Sequence, residues 1–441
     1  MTVAPATVAP AAGPSSPWRR LRTDALFGTS VAIMASTVVT SGLGYVLWLV
    51  VARVSGQEVS GDGAAITSLM MAVSLLAAVG AAAAMIQWLP ATSDAVDWRR
   101  RVTAGVVATT ILSVVGALVA VALMLLTIDS LPALRTVPGA ALFCVGVLFT
   151  ALGTLQDYIC ISEQRGALML MRNTIASLVR LPLVVLPFVV AGQQMQILLA
   201  WTVSAGLSLV VAVPLFRGRS TGRTLLRPVV TRLLPELRLM ASSFAGQHMI
   251  TVTAMLGSYL LPVLVIDRLS AVDNAYFYIT WMLGSLFSII SPAVSAALFA
   301  SAAADPAQIR AATRRSLMII GGLLVVPILV YLVAGRALLG LFGADYADNG
   351  WLLLVLLTVA ALPDAITNVA VAVLRSTDRI AAAVWLNGSM LLGCLVMSFV
   401  LLPSWGIVAV GASWLAAQTA GALWAEFALR RIGSDHVQVE R

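Results

Sequence analysis

The run VTAGVVATTILSVVGALVAVALMLL, residues 102–126, has no charged residue in twenty-five positions and follows directly on Arg99, Arg100 and Arg101. A helix needs about 20 apolar residues to cross the ~30 Å hydrocarbon layer of a bilayer. The run is therefore a membrane-spanning helix, and the arginines mark the end that stays in the cytoplasm.

Similar runs recur on both sides of it. They place spans at 26–52, 64–89, 102–126, 139–161, 170–191, 195–216, 239–265, 275–301, 316–334, 350–374, 380–402 and 406–429. The composition agrees: 60% of residues are hydrophobic, 10% are charged and the mean hydropathy is +0.98. Soluble domains carry roughly 25% charge. No segment alternates as strands do, which excludes a membrane β-barrel. The fold class is an all-α polytopic membrane protein of about twelve transmembrane helices.

The net charge is +8, and all 27 basic residues are arginine. With the first residue inside, the cytoplasmic segments hold 22 arginines, and the outer ones hold only Arg53, Arg135, Arg268 and Arg336. This is the positive-inside pattern, so the charge reflects topology and not nucleic-acid binding. Both ends then lie in the cytoplasm. Residues 1–25 are expected to be a disordered cytoplasmic tail, and Arg19, Arg20 and Arg22 precede a retained first span, not a signal peptide. The expected units are an N-terminal six-helix lobe (26–216), a basic inter-lobe linker (217–238), a C-terminal six-helix lobe (239–431) and a tail (432–441). Six arginines alternate with Leu and Val in the linker, which suits either the inner membrane surface or a solvated link.

The halves repeat at an offset of 207–215 residues. Tyr45 corresponds to Tyr259, Asp157 to Asp364, Arg165 to Arg379, Asn173 to Asn387 and Trp201 to Trp414. Two halves of like topology should pack about an axis along the membrane normal, with a cavity between them.

Polar residues inside a bilayer cost several kcal/mol and mark functional candidates. Arg180 lies in the fifth span and shares a face with Asn173 and Ser177. It suits an anionic substrate group such as a pyrophosphate, or a carboxylate on a neighbouring helix. His248, with Gln247, is a second substrate-binding candidate on the seventh span, where Ser243, Gln247 and Thr251 share a face. Asp364 follows Pro363 in the tenth span. It reads as a coupling or gating carboxylate, or as a partner for Arg180. Its repeat mate Asp157 and the outer Arg53 complete the coupling or gating set. Cys144, Cys160 and Cys394 sit in apolar runs as small hydrophobes. No metal-ligand spacing occurs, and no phosphate-binding loop or large carboxylate-bearing outer loop suggests an enzyme. The sequence calls for no cofactor.

The stretch from Gly44 and Tyr45 to Arg53, then Gly61, Val79-Gly80 and Ile86 to Pro90, resembles the opening of polysaccharide flippases in the multidrug/oligosaccharidyl-lipid/polysaccharide exporter superfamily. Asp157 to Asn173 and Leu362 to Arg375 are similar to its fourth-to-fifth and tenth spans. The resemblance covers about 25–430. It implies an alternating-access carrier of lipid-linked oligosaccharides such as undecaprenyl-pyrophosphate-linked units, acting in the bacterial cytoplasmic membrane for cell-surface polysaccharide. It also implies membrane lipids, glycosyltransferases or a polymerase as partners, and a cationic cavity. Here the deep charges are one Arg and two acids. Two other readings stay open: a cation-coupled multidrug exporter, in which Asp364 would couple, and a non-transporting scaffold of an envelope-assembly complex.

Overall fold

In a computed structural model, the structure describes residues 25–78, 81–127, 130–185, 193–218, 222–287, 290–292, 294–295 and 309–439. The expected N-terminal tail, Arg219 and most of the second half of the eighth span lie outside the described residues, as does the side chain of Ser243. Among the described residues there is no strand.

The helices are α1 Ala25–Val54, α2 Gly56–Ala77, α3 Ala81–Trp88, α4 Ala95–Thr127, α5 Val137–Ser162, α6 Gly166–Val185 and α7 Gln193–Leu215 in the first half. The second half has α8 Leu233–Arg268, α9 Ala271–Gly284, α10 Ile309–Gly340, α11 Ala344–Ser376, α12 Ile380–Trp405 and α13 Val408–Val439. Each sequence-predicted span meets one of them, and ten are long and apolar enough to cross a membrane. α9 covers the first part of the eighth. α13, the twelfth, turns the polar Ser413 and Gln418 into the interior, where both are buried. The chain is a multi-pass membrane protein.

The second span starts earlier than its apolar run. Ser60, Gly61, Asp62 and Gly63 read as loop, but they form buried turns of α2. Protein groups replace water there: Gln194 of α7 donates to Asp62, and the Ser60 hydroxyl donates to the Gly56 carbonyl at 2.6 Å. Likewise α8 begins at Leu233, inside the expected linker. At 1.5 Å per residue its 36 residues reach about 54 Å, longer than the bilayer core is thick.

Packing gives two lobes. In the first, α1 lies on α6, α5 on α4 and α7, and α2 on α4, α5 and α7. In the second, α11 lies on α10 and α13, α12 on α8 and α13, and α9 on α11. The lobes meet where α2 packs against α8 and α9. α4 and α10 leave Leu118, Leu126, Val326 and Val333 exposed, as lipid-facing helices should. The repeat is also visible in backbone detail. Gln164 and Asp378, after α5 and α11, both take φ +56°. The next amide then reaches back to the last turn: Arg165 to the Cys160 carbonyl at 2.7 Å and Arg379 to that of Leu374 at 2.8 Å. This left-handed cap turns the chain identically in both lobes.

Candidate functional site

A cavity of about 600 Å3 lies at the junction of the lobes. Thr67, Ser68 and Met71 of α2 and Trp201 of α7 line it from the first lobe, and α8, α9, α11, α12 and α13 line the rest. Its volume falls in the ~300–1,000 Å3 range of small-molecule sites.

Asp364 is its deepest charge. Pro363, inside α11, has no N–H to give the preceding turn and breaks the hydrogen-bond ladder beside it. Asp364 is buried, lines the cavity, and accepts from Gln418 Nε2 of α13 at 3.3 Å. Gln418 Oε1 in turn accepts from the Thr367 hydroxyl at 3.0 Å. Asn368 donates to the Asp364 backbone carbonyl at 2.9 Å. Among the described residues no basic group is within ion-pair distance of this carboxylate. A buried carboxylate held by neutral amides and without a basic partner is poised to take a proton or a cation. Arg375, one further lining residue, adds a positive charge to the cavity wall.

Arg180 and Asp364 are not a pair. The Arg180 guanidinium lies 4.1 Å over the Trp201 ring, and its Nε donates to the Ser204 hydroxyl at 3.3 Å. It reaches the cavity through Trp201, whose ring also meets Trp48, while Trp48 meets Tyr278 of the second lobe at 4.7 Å. Asn173 and Ser177 lie on the same helix and are engaged locally. Asn173 donates to Ser36 of α1 and to Asp157, and Ser177 donates to the Asn173 carbonyl. Asp157 is ion-paired with Arg172, a buried residue of α6. His248 is buried against the Leu76 backbone of α2 with Nε2 unpartnered, and Gln247 Oε1 is likewise unpartnered. None of Asn173, Ser177, Arg180, Gln247 or His248 lines the cavity.

Arg53 stands at the end of the bundle where polar contacts between lobes concentrate. It donates twice to the Leu341 carbonyl, at 2.7 and 3.1 Å. Gln57 donates to Asp345 at 2.7 Å and accepts from the Tyr276 hydroxyl at 2.9 Å. Asn274, fully buried, donates to the Gly61 carbonyl at 2.7 Å. Tyr45 donates to the Met282 carbonyl at 2.8 Å. The crossing of α2 over α9 needs a glycine, because a Cβ on Gly61 would sit 1.7 Å from the Ala271 carbonyl oxygen.

At the opposite end a buried charge cluster ties the linker to the first lobe. Arg223 of the linker pairs with Glu163 at 3.0 Å and donates to the Thr92 carbonyl. Trp98 Nε1 donates to Glu163 at 2.8 Å, with its ring stacked on Phe216. Sequence reasoning missed Asp62, Arg172 and Glu163, because each lies where an apolar run meets a loop, and Arg223, because it sits among the arginines of the linker.

A profile of the family described as "Polysaccharide biosynthesis protein" matches residues 28–299, more than half of the chain. The chain belongs to that family. No curated protein matches it in sequence. Among solved structures, the polysaccharide biosynthesis protein resembles an inward-facing multidrug resistance MATE family transporter of the MOP superfamily: 14% identity, 92% of this chain and 99% of that one, TM-score 0.68. It also resembles the lipid II flippase MurJ in an inward closed conformation: 10% identity, 91% and 87% coverage, TM-score 0.67. An outward-facing MATE transporter matches with TM-score 0.58 at 14% identity, over 95% and 99% of the two chains. At these identities the likenesses show a shared fold.

Proposed function

We propose that this polysaccharide biosynthesis protein is a flippase. It moves a lipid-linked anionic saccharide precursor between leaflets of the bacterial cytoplasmic membrane by rocking its lobes, 26–216 and 239–431, about the junction at α2. The observation that carries this reading is the cavity bounded by both lobes, with the lobes fastened at the Arg53 end by bonds that largely end on backbone carbonyls. Such bonds exchange for water without stranding a buried charge. By the arginine distribution, that end is outside and both termini are inside. In this reading the arrangement closed at the Arg53 end is the one that loads from the cytoplasm. In the proposed cycle Arg180 meets the phosphate when Trp201 moves, and Asp364 couples or gates. Partners are membrane lipids and the glycosyltransferases or polymerase of the same route.

The test is transport of a fluorescent polyprenyl-pyrophosphate saccharide in proteoliposomes. Arg180→Ala stops transport while the protein still inserts; normal transport by that variant removes Arg180 from the mechanism. One observation favours a second reading, a cation-coupled exporter: the unpaired Asp364 faces the cavity. Under that reading, loss of the chain leaves surface polysaccharide intact and raises sensitivity to cationic compounds, in an Asp364-dependent way.

A further inference from the structure

A second hollow, of about 630 Å3, lies between α8 and α12 on the flank of the second lobe. It is apolar, walled by Met249, Ile380 and the exposed Trp385, and it exists because Gly246 and Gly388 carry no side chain into it. It adjoins the central cavity: Thr253 lines both spaces. The Thr253 hydroxyl is turned back to the Met249 carbonyl at 2.7 Å, which consumes its donor. Its methyl faces Gly388, 3.6 Å from where a Cβ would be. Asn387, the neighbour of Gly388, and Arg375, five residues before Ile380, line the cavity. A chamber that carries Asp364, Asn387 and Arg375 among mostly apolar residues and an apolar trough thus share a wall one side chain thick.

We infer that the trough between α8 and α12 holds the hydrocarbon chain of the lipid-linked substrate while its anionic head occupies the cavity on the other side of Thr253. The inference rests on the flippase reading. Lipid tails are as apolar as this trough, so a chain gains no hydrophobic free energy by leaving the bilayer for it. The trough is therefore not an affinity device. It gives the chain a fixed exit beside a chamber that must admit the polar head. A bulk phospholipid keeps its head at the interface and gains nothing from the adjoining cavity. The occupant that uses both spaces is an amphiphile whose head is inside the protein and whose tail is not.

The test uses the full chain in nanodiscs and two photoreactive lipids: a polyprenyl phosphate with a diazirine in its chain, and a phosphatidylglycerol with one in its acyl chain. The polyprenyl probe labels peptides containing 246–253 and 380–388, and the phosphatidylglycerol probe does not label them above its average over the surface. Gly388→Leu fills the trough from an added Cβ in ordinary contact, and lowers this labelling about tenfold. Gly393→Leu, on the same helix with nothing within 4 Å of the added Cβ, leaves it unchanged and shows that α12 tolerates the residue. Equal labelling by both probes, or polyprenyl labelling elsewhere, overturns the inference. Binding of a water-soluble, short-chain saccharide pyrophosphate separates the two failures. If it binds wild type and Gly388→Leu alike while the chain probe misses the trough, the flippase reading stands and the trough assignment falls. If neither ligand binds, both fall.

Discussion

Gly61→Ala should unfasten the lobes at the Arg53 end. The added Cβ would lie 1.7 Å from the Ala271 carbonyl oxygen, with the Ala271 carbonyl carbon at 2.6 Å. Carbon and oxygen tolerate an approach of about 3.3 Å, so α2 and α9 must part by roughly 1.6 Å. Overpacking of this kind costs about 1–3 kcal/mol. The same shift breaks the bond from Asn274 to the Gly61 carbonyl and leaves a buried amide unpaired, for about 1–3 kcal/mol more. At the lower bound, ~2 kcal/mol, the closed arrangement loses about thirtyfold in population. Ser60, buried beside the crossing, reports the change. In protein whose Cys144, Cys160 and Cys394 are replaced, Ser60→Cys is protected from a membrane-impermeant maleimide, and adding Gly61→Ala exposes it. Gly44→Ala, where the added Cβ meets nothing within 4 Å, leaves protection intact. Unchanged labelling in a Gly61→Ala protein that inserts and elutes normally would refute the reasoning.

Glu163→Ala strands the buried Arg223 and lowers stability by about 3–5 kcal/mol; thermal unfolding in detergent measures it, and Glu163→Ala/Arg223→Ala recovers most of the loss. Asp157→Ala likewise leaves Arg172 unpaired inside α6, and Asp157→Ala/Arg172→Met restores thermal stability. Asp364→Asn keeps an acceptor for Gln418 and changes unfolding by less than about 1 kcal/mol, yet it removes any dependence of transport on a cation or proton gradient; unchanged gradient dependence rules Asp364 out as the coupling group.

Apolar runs made the crossing helices legible, ten of them long and apolar enough among the described residues, because the bilayer demands length and hydropathy from every crossing helix. The start of α2 was hidden for the complementary reason. Ser60, Gly61 and Asp62 look like loop until α7 and α9 supply partners for them, and partners from other helices leave no local signal. Arg172 reads as a loop arginine beside Arg165, yet the turn capped by Gln164 returns the chain so tightly that Arg172 enters the lobe opposite Asp157. Asp364 was visible as a charge beside a proline. Its tie to Gln418, 54 residues on, was not, nor was the place of Arg180 behind Trp201, because neither pairing has a fixed spacing. The repeat did reach into the packing: Asn173 and Asn387, matched in sequence, bond α1 through Ser36 and α8 through the Ile250 carbonyl, the leading helix of each lobe.

The linker also sets a tether length. It is held to the first lobe by Arg223, and again where the Val229 amide meets the Thr103 hydroxyl at 3.0 Å. From Val229 to Leu233, where α8 begins, the chain advances four residues, which spans at most about 14 Å when fully extended. While both anchors hold, the start of α8 cannot swing farther than that from the first lobe. Release at Thr103 moves the limit back to Arg223, ten residues away and about 36 Å at full stretch. In the proposed rocking cycle the stroke of the second lobe therefore has two ranges, set by whether the Val229–Thr103 contact is made.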